Sequence, residues 1–204
     1  AVVYSPDSAL QVKCIIADTL ENQFYYSIEF NNKPILLPSG FELDLQGAGP
    51  LKSNLKITNI RNESVKENWE RVWGKRKTVS NHYNQLVIEL EETVKPRRIL
   101  NLYFRAYNNG VAFRYELPVQ KELDTFVLTN EKIEFCFSED HTIWAAFWNT
   151  FHLSQEIEFT KTAIREIKPG NIIGTPLLIH AGDKAWLAIL EANVTDWACS
   201  GLTA

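Results

Sequence analysis

Apolar and polar residues alternate with a period of two along most of this chain, and this alternation is the strongest constraint on its fold. In the run QLVIEL, for example, Leu86, Ile88 and Leu90 fall on one side of an extended backbone. Successive side chains of a β-strand point to opposite faces of a sheet, so the period predicts strands that bury one face. The runs that carry it are QLVIEL (85–90), LNLYFRAY (100–107), VAFRYEL (111–117) and IEFCF (133–137).

Short segments rich in Asn, Gly and Pro separate these runs. The Asn-Gly pair in YNNG (107–110) is a strong hairpin signal, and FNNKP (30–34) and AGD (181–183) have similar turn chemistry. We therefore expect an all-β fold of about ten to fourteen strands, arranged as a large antiparallel sandwich. No internal repeat or linker divides the chain, so residues 1–204 are predicted to form one domain.

Two segments do not follow the alternation. SVKENWERVWGKRK (64–77) has no clean helical stripe and is predicted to be an extended or loop insertion. The segment 152–168 is compatible with a helix or with a second irregular insertion.

Composition narrows the possible partners. The formal net charge is −4, and an acidic domain is a poor partner for nucleic acid or for an anionic membrane surface. The chain has no apolar run of about 18 residues, the length that a membrane-spanning helix requires. Cys14, Cys136 and Cys199 follow no metal-binding spacing and are interpreted as small apolar fillers. Because the chain begins without Met and ends without a turn signal, we expect it to be part of a longer protein.

The common catalytic signatures are missing from this sequence. It contains no GxxxxGK phosphate loop, no GxSxG elbow and no HExxH motif. The four histidines are scattered along the chain, whereas metal ligands usually occur in clusters, so none of them is interpreted as a metal ligand. No catalytic residue is assigned in this chain.

Two stretches concentrate aromatic residues among polar ones. NWERVWGKRKTVSNHYN (68–84) contains Trp69, Trp73, His82 and Tyr83. Aromatic rings stack on the CH faces of sugars while amides and imidazoles bond the hydroxyls, so this stretch is a candidate carbohydrate-binding loop. The alternative is that its tryptophans fill the protein's own core. IWAAFWNTFH (143–152) leaves the same two interpretations open.

The run AWLAILEANV, which begins at Ala185, is typical of a buried strand but carries the carboxylate of Glu191 with no basic neighbour. In strand geometry Glu191 shares a face with Leu187, Ile189 and Asn193. A buried carboxylate must be protonated, paired or bound to a cation, because its desolvation costs several kcal/mol.

Two explanations for Glu191 follow. One is a salt bridge to a distant guanidinium such as Arg105 or Arg114. The other is a Ca²⁺ site, since carboxylate oxygens suit this ion. Ca²⁺ takes about six to eight oxygen ligands, so the second explanation requires ligands from outside this chain.

Five segments, in this order, resemble the N-terminal domain of glycoside hydrolase family 97. The resemblance extends from Ser5 to about Trp197. The chain departs from the family pattern at Gln85, where an acid is common, and at Trp197, where Tyr is common; neither change affects Glu191. The segments are SPDSALQV, WERVWGKRKTVSNHYNQL, FRAYNNGVAFRYELP, GTPL and ILEANVTDW.

The resemblance implies the architecture and activity of a longer protein. It implies an N-terminal β-supersandwich similar to galactose mutarotases, followed by a (β/α)8 barrel that carries the catalytic groups and by a small C-terminal β-domain. It also implies a bacterial α-glycosidase, periplasmic or secreted, that acts on α-linked oligosaccharides. This chain would then complete the active-site pocket of its own barrel and be inactive when isolated.

The resemblance further implies site residues. Family members hold Ca²⁺ in the active site, with one Glu from the motif that matches LEANVTDW, which places this role on Glu191. The remaining glutamate ligands come from the barrel. Asn81, His82, Tyr83 and Trp73 are accordingly predicted to contact substrate from a loop at the barrel mouth.

Several alternatives stay open at the level of sequence. The VWG…NHYN stretch favours an α-glucoside substrate, with an α-galactoside as the alternative, and both inverting and retaining mechanisms occur in the family. A hypothesis of another class is a non-catalytic carbohydrate-binding or structural sandwich. A stand-alone epimerase would need a converging acid–base pair, which the scattered histidines do not provide.

Overall fold

The computed structural model describes residues 1–18, 21–148, 150, 156–183, 185–194 and 197–204. The chain divides into two compact units, Ala1–Ser138 (unit 1) and Glu139–Ala204 (unit 2). Within the described ranges, every regular element is a β-strand except a 3₁₀ turn at Ile164–Glu166. The strands pair antiparallel throughout these ranges. The predicted all-β, antiparallel fold is confirmed, while the prediction of one domain over residues 1–204 stays a prediction.

Unit 1 is built from antiparallel sheets. Its described strands are β1 (Val2–Tyr4), β2 (Leu10–Ile16), β3 (Phe24–Phe30), β4 (Lys33–Ser39), β5 (Phe41–Leu45), β6 (Gly49–Leu51), β7 (Leu55–Glu70), β8 (Thr78–Glu92), β9 (Ile99–Tyr107), β10 (Gly110–Glu116) and β11 (Leu128–Ile133). The strand orders are β1-β2-β3-β4, β10-β9-β8-β7 and β11-β5-β6.

Aromatic rings fill the core between the two larger sheets of unit 1. The ring centroid of Phe104 on β9 lies 6.2 Å from that of Phe24 and 5.7 Å from that of Tyr26, both on β3. The ring of Phe113 on β10 lies 5.6 Å from that of Tyr26. Phe24, Tyr26 and Phe104 are buried, so the alternating residues of the two sheets share one sandwich core.

The predicted turns join neighbouring strands. In FNNKP, Phe30 pairs with Lys33 across Asn31 and Asn32, whose φ angles are 49° and 60°. Positive φ at both central residues gives a turn whose twist matches that of the flanking strands, and Asn tolerates this conformation better than most residues.

The segment predicted as an extended or loop insertion is the outer end of a long hairpin. β7 and β8 pair from Leu55 opposite Glu92 to Glu70 opposite Thr78. β9 pairs with β8 only from Tyr83 to Glu91, so the hairpin continues beyond the sheet as a two-stranded ribbon that ends in the segment 71–77.

One local prediction needs correction, and one open alternative is resolved in part. The regular strand of IEFCF ends at Ile133; beyond it the Glu134 N–H still donates to the Gly40 carbonyl at 3.0 Å, whereas the Cys136 N–H donates to Ser39 Oγ at 3.0 Å. The described part of 152–168 contains a strand and the 3₁₀ turn rather than an α-helix, and residues 152–155 lie outside the described residues.

The cysteines differ in their surroundings. Cys14 is buried on β2, and burial raises the pKa of its thiol to about 12, as expected of an apolar filler. Cys136 is partly exposed and Cys199 is exposed, so the filler interpretation is wrong for Cys199.

Unit 2 contains one described sheet with the order β13-β12-β14-β15. Burial alternates along its strands: Ile143 and Ile179 are fully buried, whereas Trp144 and Leu178 are partly exposed. Its strands are β12 (Thr142–Trp148), β13 (Thr160–Ala163), β14 (Ile172–Ala181) and β15 (Ala185–Ile189).

Gly174 on β14 allows the Trp148 ring of β12 to pack directly against the backbone. It pairs with Ala146, and a Cβ atom at position 174 would lie 2.4 Å from the Trp148 ring. Trp148 is 8% exposed, so its indole has little room to move. The close packing of this ring on bare backbone therefore requires glycine.

We expect Gly174→Ala to reduce the free energy of unfolding by about 1–3 kcal/mol, because the added methyl group overpacks the site. Urea denaturation of the purified protein measures this change. Gly110→Ala is the matched control, since a Cβ at this strand position meets nothing within 4 Å, and it should change stability by less than about 0.5 kcal/mol. Equal effects of the two substitutions would contradict the packing account.

Candidate functional site

Glu191 lies just beyond the end of β15. The strand pairs with β14 from Ala185 opposite Ala181 to Ile189 opposite Leu177. The next position on β14 is Pro176, which has no N–H to donate, and this explains why the ladder stops before Glu191. The prediction that Glu191 belongs to the strand is therefore wrong.

The burial pattern of β15 follows the predicted alternation only in part. Leu187 and Ile189 are half-buried, whereas Trp186 and Leu190 are each 59% exposed. The strand is thus half-exposed rather than buried. Glu191 is also half-buried, and it continues the every-second-residue series of Leu187 and Ile189.

One backbone group holds the Glu191 carboxylate. The N–H of Ser200 donates to Glu191 Oε2 at 3.1 Å. The structure gives Oε1 no hydrogen bond and the carboxylate no ion pair within the described ranges. One oxygen is therefore anchored, and the other is available to a ligand.

The guanidinium groups considered as partners for Glu191 are engaged inside unit 1. Arg105 donates from Nε to Gln85 Oε1 at 2.7 Å and lies over the Tyr83 ring, 4.5 Å from its centroid. Arg114 lies over the Tyr103 ring, 4.6 Å from its centroid. These contacts give both cations a local role in the β7–β10 sheet.

No complete metal site exists within the part of the chain that the structure describes. Its His, Cys, Asp and Glu side chains form no group of three or more that could hold a metal ion. Glu191 therefore offers a single carboxylate ligand, the donor type that Ca²⁺ prefers.

The predicted sugar-contacting residues lie on the β7–β8 hairpin rather than in one loop. Asn81, His82 and Tyr83 belong to β8. Alternate residues of a strand face opposite ways, so Asn81 and Tyr83 share one face and His82 points to the other. Trp73 lies in the segment 71–77 at the hairpin end and is 86% exposed. The structure does not bring these four side chains together.

The surroundings of Asn81 and Tyr83 are polar and aromatic. Asn81 Nδ2 donates to Glu67 Oε1 across the hairpin. Tyr83 is 6% exposed and packs against Tyr107, with 5.1 Å between ring centroids. Tyr83 thus has a packing role in the sheet, whereas Asn81 lies on the part of the hairpin beyond β9.

A row of polar side chains beside Tyr83 was not predicted from the sequence. Gln85 donates from Nε2 to Glu63 Oε2 at 2.9 Å and accepts from Arg105 Nε, so it links three adjacent strands. The β8–β9 register that aligns these residues depends on the connection at 93–98, and no turn motif there predicts it.

One described cleft lies elsewhere in unit 1. It has a volume of about 200 Å³, and Phe24, Gly40, Glu42, Lys52 and Glu134 are among its lining residues. None of the predicted site residues lines it. Among the described residues, no helix is long and apolar enough to span a membrane.

Comparisons with known proteins place the chain in a family. It matches the family model described as Glycosyl-hydrolase 97 N-terminal over residues 3–204. A retaining alpha-galactosidase from Bacteroides thetaiotaomicron is 27% identical to it over 202 residues, which make up 95% of this chain and 28% of that protein.

Solved structures show the same fold. A crystal structure of a beta-arabinopyranosidase has a TM-score of 0.82 and 25% identity, covering 95% of this chain and 32% of that one. A Glycoside Hydrolase Family 97 enzyme from Pseudoalteromonas sp. strain K8, in complex with panose, has a TM-score of 0.72 and 21% identity, covering 93% and 32%. The chain spans about a third of the length of these relatives. It belongs to the glycosyl-hydrolase 97 N-terminal family.

Proposed function

We propose that this chain is the N-terminal domain of a calcium-dependent α-glycosidase and supplies one Ca²⁺ ligand, Glu191, to an active site completed by a following (β/α)8 barrel. The single observation that carries the proposal is the half-anchored carboxylate of Glu191, which has one oxygen on the Ser200 N–H. Family membership over residues 3–204 supports the glycosidase activity.

A single carboxylate is the contribution expected of one partner in a shared site. Ca²⁺ needs about six to eight oxygens, and one carboxylate supplies at most two of them. The described residues contain no cluster of three potential ligands, and we assign the remaining protein ligands to the barrel. When bound, such an ion can polarise a substrate oxygen and orient the substrate.

Ser200 acts on the orientation of Glu191. Its N–H fixes Oε2 and therefore limits rotation of the carboxylate about its last torsion angle. A ligand held in this way loses less conformational freedom when it binds the ion. The bond cleavage itself requires two carboxylates that flank the glycosidic bond, and we assign both to the barrel.

We expect Glu191→Gln in the full-length protein to lower kcat at least about 100-fold and to abolish its dependence on Ca²⁺, since a neutral amide replaces the charged ligand. Gln keeps an oxygen that accepts the Ser200 N–H, so folding should be preserved. Steady-state kinetics with and without the chelator EGTA provide the measurement.

Glu166→Gln is the matched control, because Glu166 is an exposed carboxylate of unit 2 whose side chain is 62% accessible. It should retain both activity and calcium dependence. If Glu191→Gln changed only the melting temperature, the domain would instead be a non-catalytic structural or carbohydrate-binding sandwich.

The substrate class we propose is an α-galactoside. The support is the retaining alpha-galactosidase, which is 27% identical over nearly this whole chain. The sequence-based expectation of an α-glucoside rests on the VWG…NHYN stretch, whose members lie apart on the hairpin. The panose complex belongs to a relative of 21% identity, which supports the fold alone.

We expect the full-length protein to hydrolyse 4-nitrophenyl α-galactoside with a kcat/KM at least about tenfold above that for the α-glucoside, a difference of about 1.4 kcal/mol in transition-state binding. Release of 4-nitrophenol measures both rates. A preference for the α-glucoside would support the earlier expectation and reject the α-galactoside proposal.

The β7–β8 hairpin is proposed to shape the substrate pocket through His82 and Trp73, whereas Asn81 and Tyr83 lie on the face of the ribbon opposite to His82. The support is that this ribbon continues beyond β9, where Trp73 is exposed and His82 is half-buried. An isolated two-stranded ribbon is marginally stable, so we infer that another part of the protein supports it.

We expect His82→Ala to raise KM about tenfold or more with little change in kcat, because a lost hydrogen bond in substrate binding costs about 1.5 kcal/mol. Lys66→Ala is the control, because Lys66 lies opposite His82 on the neighbouring strand. It should leave KM unchanged. Unchanged kinetics for His82→Ala would assign the hairpin a packing role only.

We also propose that the protein is periplasmic or secreted. The support for this location is the family resemblance of the sequence segments given above. Fractionation of the host cells, with activity measured in each fraction, tests it.

A further inference from the structure

The cleft of unit 1 lies between two of its sheets. Gln23 and Tyr25, at the start of β3, line one wall, and the paired strands β5 and β11 line the other. The Glu134 N–H extends this pairing by donating to the Gly40 carbonyl at 3.0 Å. We call this cavity the β3–β5 cleft; its charged lining residues are Glu42, Lys52, Lys132 and Glu134.

Gly40 keeps the floor of the β3–β5 cleft open. It is buried, and a Cβ atom at this position would lie 3.3 Å from Glu134 Oε2 and 3.6 Å from Tyr25 Cε1. The Tyr25 ring is half-buried, and its hydroxyl donates to Gln23 Oε1 at 2.7 Å. The cleft therefore has an aromatic wall, held by a hydrogen bond, beside a stretch of bare backbone.

The carboxylate of Glu134 is anchored at one oxygen. The Gly40 N–H donates to Glu134 Oε2 at 2.8 Å. Among the residues that the structure describes, Oε1 has no hydrogen bond and the carboxylate has no ion pair. An anchored carboxylate loses little conformational freedom when its second oxygen accepts a hydrogen bond from a ligand.

Carboxylates and ammonium groups alternate along the β5–β11 wall. Lys52 Nζ lies 3.3 Å from Glu42 Oε2, and strand register places Lys132 opposite Glu42. Glu134 follows Lys132 on the same face of the strand. The two carboxylates and two ammonium groups balance in formal charge, and a charged ligand would meet a like charge beside each opposite one, which is unfavourable. The cleft therefore favours a neutral ligand with many hydrogen-bonding groups.

We propose that the β3–β5 cleft binds one neutral sugar residue. A sugar hydroxyl both donates and accepts hydrogen bonds, so neighbouring hydroxyls match a carboxylate such as Glu134 beside an ammonium group such as Lys132. Hydrogen bonds to charged groups are stronger than those between neutral groups. The CH face of the sugar ring packs against the Tyr25 ring. The proposal goes beyond the proposed function, since it does not depend on the metal role of Glu191.

The size of the cleft limits the ligand to about one ring. Its volume is about 200 Å³, below the range of about 300–1,000 Å³ that is usual for drug-sized ligands. A free amino acid is also neutral overall, but its ammonium and carboxylate groups require one cluster of acids and a separate cluster of bases. The alternating charges of Glu42, Lys132 and Glu134 suit neighbouring hydroxyls instead.

Acetylation of lysine amines in the full-length protein, read by mass spectrometry, tests the proposal at single residues. We expect D-galactose or D-glucose, at a concentration about tenfold above a millimolar Kd, to slow acetylation of Lys132 at least about fivefold, because the bound ring occupies most copies and covers the amine. Lys121, an exposed lysine of unit 1 outside the cleft, is the reference and should react at an unchanged rate.

Several other results would overturn the proposal. An unchanged Lys132 rate with both sugars would show that no sugar binds in the cleft. Protection by glycine but by neither sugar would make it an amino-acid site, and protection by inorganic phosphate alone would make it an anion site. If Lys132 reacted in urea but not in the folded protein without sugar, another part of the polypeptide would cover the cleft.

Two substitutions give an independent test of the cleft. Glu134→Gln keeps an oxygen for the Gly40 N–H but removes the charge, so it should raise the sugar concentration that half-protects Lys132 at least about fivefold. Glu122→Gln, an exposed carboxylate outside the cleft, is the matched control and should leave that concentration unchanged. Gly40→Ala places a methyl group on the floor and should abolish protection.

Equal half-protecting concentrations for Glu134→Gln and Glu122→Gln would contradict the assignment of the sugar to this cleft. Failure of the metal role is distinguishable from failure of this proposal, because it would show in the Glu191→Gln kinetics and leave the sugar protection of Lys132 unchanged.

Discussion

A β-sheet has two faces, and each apolar face needs a covering. This constraint organises the described parts of the molecule. In unit 1 it is met internally, because Phe24 and Tyr26 of one sheet pack against Phe104 and Phe113 of another. In unit 2 one face of the sheet buries Ile143 and Ile179, while the other exposes Trp186.

The position of Glu191 depends on where the β14–β15 ladder ends. Pro176 ends the β14–β15 ladder, so the chain after Ile189 is released from the sheet. The Ser200 N–H then holds one carboxylate oxygen and leaves the other without a hydrogen bond among the described residues. A carboxylate of this kind is incomplete as a metal site and suitable as one ligand of a shared site.

Sequence patterns predicted the parts of this structure that depend on local chemistry. Period-two alternation predicted the strands around Leu86 and Leu102, and the Asn31–Asn32 turn followed from backbone preference. Contacts that depend on strand register were not predictable. The Glu63–Gln85–Arg105 row needs the β8–β9 alignment, and the opposite orientations of His82 and Tyr83 appear only once their segment is known to be a strand.

The distance between Glu191 and a bound ion tests the central claim most directly. A crystal structure of the full-length protein grown with Ca²⁺ would measure it. The account predicts a Glu191 carboxylate oxygen about 2.3–2.6 Å from the ion, with the other protein ligands on the barrel. An ion bound entirely by other residues, with the Glu191 oxygens more than about 4 Å away, would contradict it.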